Sequence, residues 1–351
     1  MRALALAAIV GLLPLQSPQI TNGKVVPVAS TIEREVAAAA AQPEPSWVAW
    51  KLPSVDGRSQ SCCWYSNNDE RWYGCGLEPQ TAGAAMTRPQ QPTGPVPLEA
   101  GTSVLVMARV ANGKVERVRT FSDDCPLDAG GRTVKLVEGV TPDASVRWLS
   151  EQIAASLAAD GRSSLYNNAL SAIANTAGPA ADAALVKFTD ASHPSQVRRQ
   201  AVFWIGQSRG SAGFSTLKAL LAREPAGDVR RSVVQAISRS RVPEALPTLL
   251  AIAKSDPDAN TRGEALFWLA QSAGKAAAAD ITSAIENDPD TKVQERAVQA
   301  LSQLPKAEGV PLLINVARTH RNAKVRERAM FWLGQSKDPR ATKFFEEILI
   351  K

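Results

Sequence analysis

Apolar residues recur at i, i+4 and i+8 through the back half of the chain. Val197, Ala201 and Ile205 form one such set; Val229, Val233 and Ile237 form another; Val325, Ala329 and Leu333 form a third. That spacing places each set on one face of a helix. Turns such as Ser255-Asp256-Pro257-Asp258 and Asn287-Asp288-Pro289-Asp290 precede these helices. Asp caps a helix start and Pro suits the turn. Further amphipathic segments, at 183–189, 214–222, 245–254, 278–286, 310–318 and 341–350, alternate with them. The front half has a different rhythm. Ser103 to Val110 alternates apolar and polar, Asn112-Gly113 follows, and Val115 to Phe121 alternates again. This predicts a β-hairpin with a primed turn. Trp47 to Trp50 and Arg132 to Val137 predict further strands, and Thr141-Pro142-Asp143 opens a helix running to about Ala158. There Thr serves as N-cap and Pro as first helical residue. The expected fold class is therefore α+β: a small β-rich module followed by an all-α array.

The helical pattern has a period of 32 residues, with copies starting at 166, 198, 230, 262, 294 and 326. A constant spacing without insertions implies stacked repeats, because no single amphipathic unit can bury its apolar face alone. The unit reads Val197-Arg198, Ala201, Ile205-Gly206, and again Val325-Arg326, Ala329, Leu333-Gly334. It resembles the HEAT repeat, and its short period resembles the bilin-lyase-type HEAT-like subclass. The signatures of tetratricopeptide and ankyrin repeats are absent. The resemblance covers about residues 165–350 and implies an α-solenoid over 160–351, without implying an activity. Some HEAT-like proteins are di-iron hydroxylases with repeated His-Glu pairs. This chain has 2 His and no His-Glu dipeptide, so that activity is not carried over. Nor is bilin-lyase activity, since only the repeat pattern matches.

A finer pattern doubles the period to 64. Phe203-Trp204, Phe267-Trp268 and Phe331-Trp332 stand in alternate units, with Gln235-Ala236 and Gln299-Ala300 in the same slots between them. Large Trp alternating with small Ala suits packing between repeats. The Phe/Gln slot suits a surface, because Gln is rarely fully buried. One turn further on stand Gln207, Arg239, Gln271, Gln303 and Gln335. A stripe of aromatic, amide and charged groups suits an extended peptide or protein partner. The first Arg of each unit (Arg198, Arg230, Arg262 and Arg326, with Gln294 as exception) reads as structural, bonding turn carbonyls or a neighbouring Asp such as Asp258 or Asp290.

Cys62, Cys63, Cys75 and Cys125 all lie in the front half, within a β-rich module expected over 44–158 with a flexible Pro- and Gln-rich loop at 79–97. Their even number predicts two disulfides, with Cys62 and Cys63 each pairing to one of Cys75 and Cys125. The spacing matches neither paired C-x2-C metal sites nor a Cys-x-x-Cys redox motif. Trp64, Tyr65, Trp72 and Tyr73 crowd between the cysteines, as the core of a stapled domain or as a stacking site. Asp123, Asp124 and Asp128 lack EF-hand spacing and read as a solvated turn. Gly206-Gln207-Ser208-Arg209-Gly210 matches G-x-S-x-G, but it closes a helix where a nucleophile elbow needs a preceding strand. His193 and His320 have no evident Cys or Ser partner. No catalytic residue, metal or cofactor is assigned.

Met1-Arg2 and the apolar run Ala3 to Leu13 have the form of a secretory signal peptide, expected over 1–20 and cut near Gln16–Gln19. The run is too short to span a bilayer, which takes roughly 20 residues. Residues 1–159 carry 14 Lys+Arg against 15 Asp+Glu, and residues 160–351 carry 26 against 19, giving −1 and +7. The basic half contains no run of five or more Lys or Arg, and acids are interspersed. A protein or peptide partner is expected rather than nucleic acid. The expectation is thus a monomeric, periplasmic or extracellular binding or scaffold protein that works without catalysis. The alternatives are an enzyme, metal or redox function in the Cys module, and a basic nucleic-acid binder if the chain is not exported.

Overall fold

The computed structural model describes residues 20–55, 64–66, 71–73, 76–78, 102–123, 125–159, 165–225 and 227–349. The chain divides into two compact units, Met1–Trp148 and Leu149–Lys351.

The first unit contains β1 (Ile20–Thr21), β2 (Lys24–Val28), α1 (Ile32–Ala40), β3 (Ser46–Pro53), β4 (Trp64–Ser66), β5 (Arg71–Tyr73), β6 (Ser103–Ala111), β7 (Lys114–Ser122), β8 (Leu127–Asp128) and β9 (Thr133–Val137). Helix α2 (Pro142–Ala159) crosses the boundary between the units in sequence. A five-stranded sheet runs in the order β2-β9-β3-β6-β7. Strand β9 is parallel to both β2 and β3, while β6 is antiparallel to β3 and β7. The expected hairpin is β6–β7. Asn112 and Gly113 at its tip have φ of 55° and 74°, the left-handed pair that a primed turn requires. The expected strands at Trp47 and Arg132 are β3 and β9. Thr141 caps α2, its hydroxyl accepting from the Ala144 N–H at 3.2 Å.

Strands β3 and β6 are buried on both faces of the sheet, which is why β3 is apolar without alternation. Trp47 and Ala49 join Leu105, Met107, Phe121, Cys125, Leu127 and Val134 in one core. On β3, the intervening Trp50 donates its indole N–H to Ser145 at 2.9 Å and meets the Trp148 ring edge-on at 5.3 Å.

Three elements, β1, β2 and α1, stand upstream of residue 44, where the sequence pattern placed the start of this module. Strand β2 contains Pro27, which reads as a breaker; it is tolerated because β2 is an edge strand. Helix α1 is rich in Ala, so its pattern of small residues masks the helix. Thr31 caps it, accepting from the Arg34 N–H at 3.3 Å.

Cys125 is buried, and no described cysteine is a free thiol. Cys62, Cys63, Cys75 and the loop at 79–97 lie outside the described residues. Near them, β4 and β5 pair with Trp64 opposite Tyr73 and Tyr65 opposite Trp72. Asp123 accepts from the Ser103 hydroxyl, and Asp128 accepts from Asn22 and the Gly130 N–H at 3.0 and 2.8 Å.

The second unit is a chain of helix pairs: α3 (Leu165–Asn175) and α4 (Pro179–Lys187), α5 (Ser195–Ser208) and α6 (Gly210–Arg223), α7 (Asp228–Arg239) and α8 (Ala245–Ser255). They continue as α9 (Ala259–Ala273) and α10 (Ala278–Asn287), α11 (Thr291–Gln303) and α12 (Lys306–Thr319), α13 (Ala323–Gln335) and α14 (Pro339–Leu349). The odd-numbered helices carry the repeated motif and pack successively on one another, while the even-numbered ones cover them. Every residue of the three apolar sets above is buried. Asp258, Asp290 and Asn322 cap α9, α11 and α13, accepting from the N–H of Thr261, Lys292 and Lys324.

The repeated Arg pairs with acids other than Asp258 and Asp290, which are occupied as caps. Arg198 reaches Glu224, Arg230 reaches Asp256, and Arg262 holds Asp288 with two bonds of 2.8 and 3.0 Å. Each acid closes the helix pair that its Arg opens, so the ion pair lies within one repeat. The same guanidiniums bond nearby turn carbonyls, as Arg262 does with that of Asp256 at 2.9 Å. At the next position in the acid series stands His320, and where its Arg partner would be stands Gln294. Both members of the pair change together, so no cation is buried without its anion.

Candidate functional site

The 64-residue pattern lies on the second half of each motif helix. Phe203 and Phe267 are half-buried, and Phe331 on α13 is 50% exposed. Gln235 and Gln299, in the alternate slots, are half-buried. Gln207, Arg239, Gln271 and Gln335 are exposed, and Gln303 is half-buried. All ten positions therefore reach the surface.

The Trp residues depart from the packing expected of them. Trp204, Trp268 and Trp332 are only half-buried, whereas Ala236 and Ala300 in the alternating slots are fully covered. Each Trp meets the preceding Phe edge-to-face, at 5.1, 5.2 and 5.2 Å between centroids. Trp is too bulky for the narrow space between motif helices, and its breadth extends the aromatic surface instead. That size was the available signal in the sequence.

The polar residues tie these aromatic pairs into one row. Arg239 lies with its guanidinium 5.6 Å from the Phe203 ring and 5.6 Å from the Trp268 ring, bridging units two repeats apart. The Gln271 amide donates to the Gln303 carbonyl oxygen at 2.9 Å, across adjacent repeats. Arg296 donates to Gln299 at 3.1 Å. The Trp268 indole donates to Glu264 at 2.7 Å, while the indole N–H groups of Trp204 and Trp332 have no acceptor. Apolar ring faces alternate with amide donors and acceptors, an arrangement able to hold both the side chains and the backbone of an extended peptide.

The other sequence candidates are absorbed into the fold. Ser208 sits near the end of α5 with its hydroxyl on the Trp204 carbonyl at 2.8 Å, so its G-x-S-x-G setting is helical. His320 is buried, its Nδ1 accepting from the Asn322 N–H at 3.1 Å and its Nε2 facing the Ile285 carbonyl at 3.1 Å. No described helix is long and apolar enough to cross a membrane.

The family model for HEAT repeats matches residues 182–270 and 278–351. The helical unit is an array of HEAT repeats. The match leaves the β-rich unit uncovered. Solved structures similar to the chain include human deoxyhypusine hydroxylase in complex with glycerol, 15% identical, covering 59% of this chain and 90% of that one with a TM-score of 0.30. Another is the complex of CpcE and CpcF of phycocyanin lyase from Nostoc sp., 20% identical, covering 58% of this chain and 80% of that one with a TM-score of 0.29. Neither likeness carries an argument about activity. No curated protein matches the chain in sequence.

Proposed function

We propose that the HEAT array is a non-catalytic binding surface for a protein or peptide, and that the row from Phe203 to Phe331 is where the partner lies. The observation that carries this reading is the run of half-exposed Phe–Trp pairs joined by Arg239 and the glutamines. A monomer that needed only to pack its repeats would have no use for Phe331 at 50% exposure. The protein works outside the cytosol after loss of its N-terminal segment, and a cut near Gln16–Gln19 would leave every described strand in the mature chain. Two disulfides staple the front unit. In support, Gly76 bridges Asp128 in the backbone, which brings the segment after Cys75 close to the one after Cys125.

The test is cross-linking capture from the exported fraction, comparing wild type with a Phe203→Ala, Phe267→Ala, Phe331→Ala triple variant of unchanged helicity. A partner held by the first and lost by the second is expected. A partner that ignores the change would overturn the reading of the row. Sequencing the N-terminus of cell-purified protein tests export: an intact Met1 would sink it and reopen nucleic acid as a partner.

A further inference from the structure

One junction between HEAT repeats is filled by the protein's own arginine, and the equivalent junction at the end of the array stands open. After α5, Arg209 turns back across α3. Its guanidinium donates to the carbonyls of Ile173, Ala174 and Thr176 at 3.3, 2.7 and 3.1 Å, and it pairs with Asp182. These carbonyls close α3, where a helix presents unsatisfied acceptors and the negative end of its dipole. The Trp204 ring, one turn earlier on α5, belongs to the same junction.

Four repeats on, 128 positions later in this numbering, the residues equivalent to Ile173, Ala174, Thr176 and Trp204 are Leu301, Ser302, Leu304 and Trp332. Together they line a cavity of about 300 Å³ between α11, α12 and α13. Two replacements open it. Lys337 stands in the Arg209 slot with φ of 51°, where Arg209 has φ of −113°, so its side chain leaves the helix end in a different direction. Val310 stands in the Asp182 slot. Lys337 is exposed. The Trp332 indole N–H is buried without an acceptor. Gln303 and Gln335, members of the aromatic–glutamine row, line the same cavity.

We propose that this cavity receives an arginine side chain from the partner, which takes the place that Arg209 takes at the first junction. The guanidinium donates to the carbonyls that close α11 and lies against Trp332, while its stem runs over Leu304 and Val310. A planar fork with several donors fits these spread acceptors, and the compact ammonium of lysine does not. Lys306 and Lys337 at the rim are long enough to turn their charges into water. The proposal extends the peptide-binding reading above. It rests on that reading only for who carries the arginine; the cavity's chemistry is tested without the partner.

The experiment follows the Trp332 indole N–H resonance of the full-length protein by NMR, assigned through its loss in Trp332→Phe. The probes are N-acetylarginine amide, the uncharged N-acetylcitrulline amide and N-acetylglutamate amide. Saturable movement of the Trp332 signal with the arginine probe is expected, with weaker binding of citrulline. Lys337→Ala, a substitution at an exposed site, removes a like charge and should tighten arginine binding roughly two- to fivefold. Val310→Asp restores the carboxylate of the Arg209 junction and should tighten it further; if that buried change prevents folding, Lys337→Ala alone decides. A signal that ignores arginine, one that moves only with glutamate, or arginine binding weakened by Lys337→Ala would overturn the proposal. The second of these outcomes would mark an anion site built on the two lysines. Loss of the partner-capture result alone would leave these titrations standing, so the two readings fail separately.

Discussion

At the scale of single residues, two glycines in the same repeat slot have opposite meanings. A Cβ on Gly206 would lie 2.5 Å from the Ala236 carbonyl oxygen and 2.9 Å from its Cβ, whereas one on Gly334 meets nothing within 4 Å. Gly206 is what allows α5 and α7 to approach; Gly334 lies on α13 with open space where its Cβ would be. Gly206→Ala should cost about 1–3 kcal/mol by forcing the helices apart. Gly334→Ala should stabilise by up to about 1 kcal/mol through helix propensity alone. Chemical denaturation of the two variants checks both signs. In the front unit, Glu78 accepts from Arg109 at 2.9 and 2.7 Å and from the Trp47 indole at 2.8 Å. The Arg109 bonds, aided by Trp47 and the charge of Arg132, hold its carboxyl below its ordinary value of 4.5 against the opposing effect of burial. Stability from a depressed carboxyl is complete above the unfolded value and is lost as pH falls through it. Thermal melts should therefore show the front unit weakening below about pH 4.5, with a flatter acid limb and a lower midpoint at pH 7 in Glu78→Gln.

At the scale of elements, each repeated Arg ties the start of its helix pair to the acid that closes it. The Arg262 side chain is 12% exposed and that of Asp288 7%, so removing one partner strands the other's charge. Arg262→Ala should cost about 3–5 kcal/mol. The paired Arg262→Leu, Asp288→Asn change should cost clearly less, since no buried charge is left over. Arg326 bonds the carbonyls of His320 and Arg321 at 2.8 and 3.1 Å. Its replacement by Ala should cost about 1 kcal/mol, the worth of ordinary hydrogen bonds. Equal losses for Arg262→Ala and Arg326→Ala would show that the Arg262–Asp288 ion pair contributes nothing beyond the turn contacts.

At the scale of the whole molecule, two units with unlike architectures should respond differently to reductant. With the proposed disulfides confined to the front unit, reduction should lower only the unfolding transition of the sheet, followed by near-ultraviolet signals from Trp47 and Trp50. The helical transition, followed at 222 nm, should stay in place. A reductant that shifts neither would remove the staples from the proposal. The outermost described repeat should open first, because each repeat is stabilised only by its neighbours. Hydrogen exchange is expected to be fastest in α13 and α14 and slowest in the motif helices at the centre.

The number of repeats, their boundaries and their apolar faces were legible because a 32-residue period imposes the same local chemistry six times. The hairpin was legible because Asn-Gly has few other uses between alternating strands. The ten surface positions of the row could also be read, since Gln in the Phe slot marks that slot as wet. The sequence alone left β2 and α1 unread, as a proline and a run of alanines hide them until β9 and β3 supply their partners. It assigned the repeated Arg to the wrong acids, because sequence spacing cannot say which carboxylate is already spent on a helix cap. The half-exposed Trp faces and the open junction at Trp332 were decided by the tertiary structure. Both depend on how far apart two helices stand and where one side chain leaves its helix, and these are set by packing across repeats rather than by any one segment.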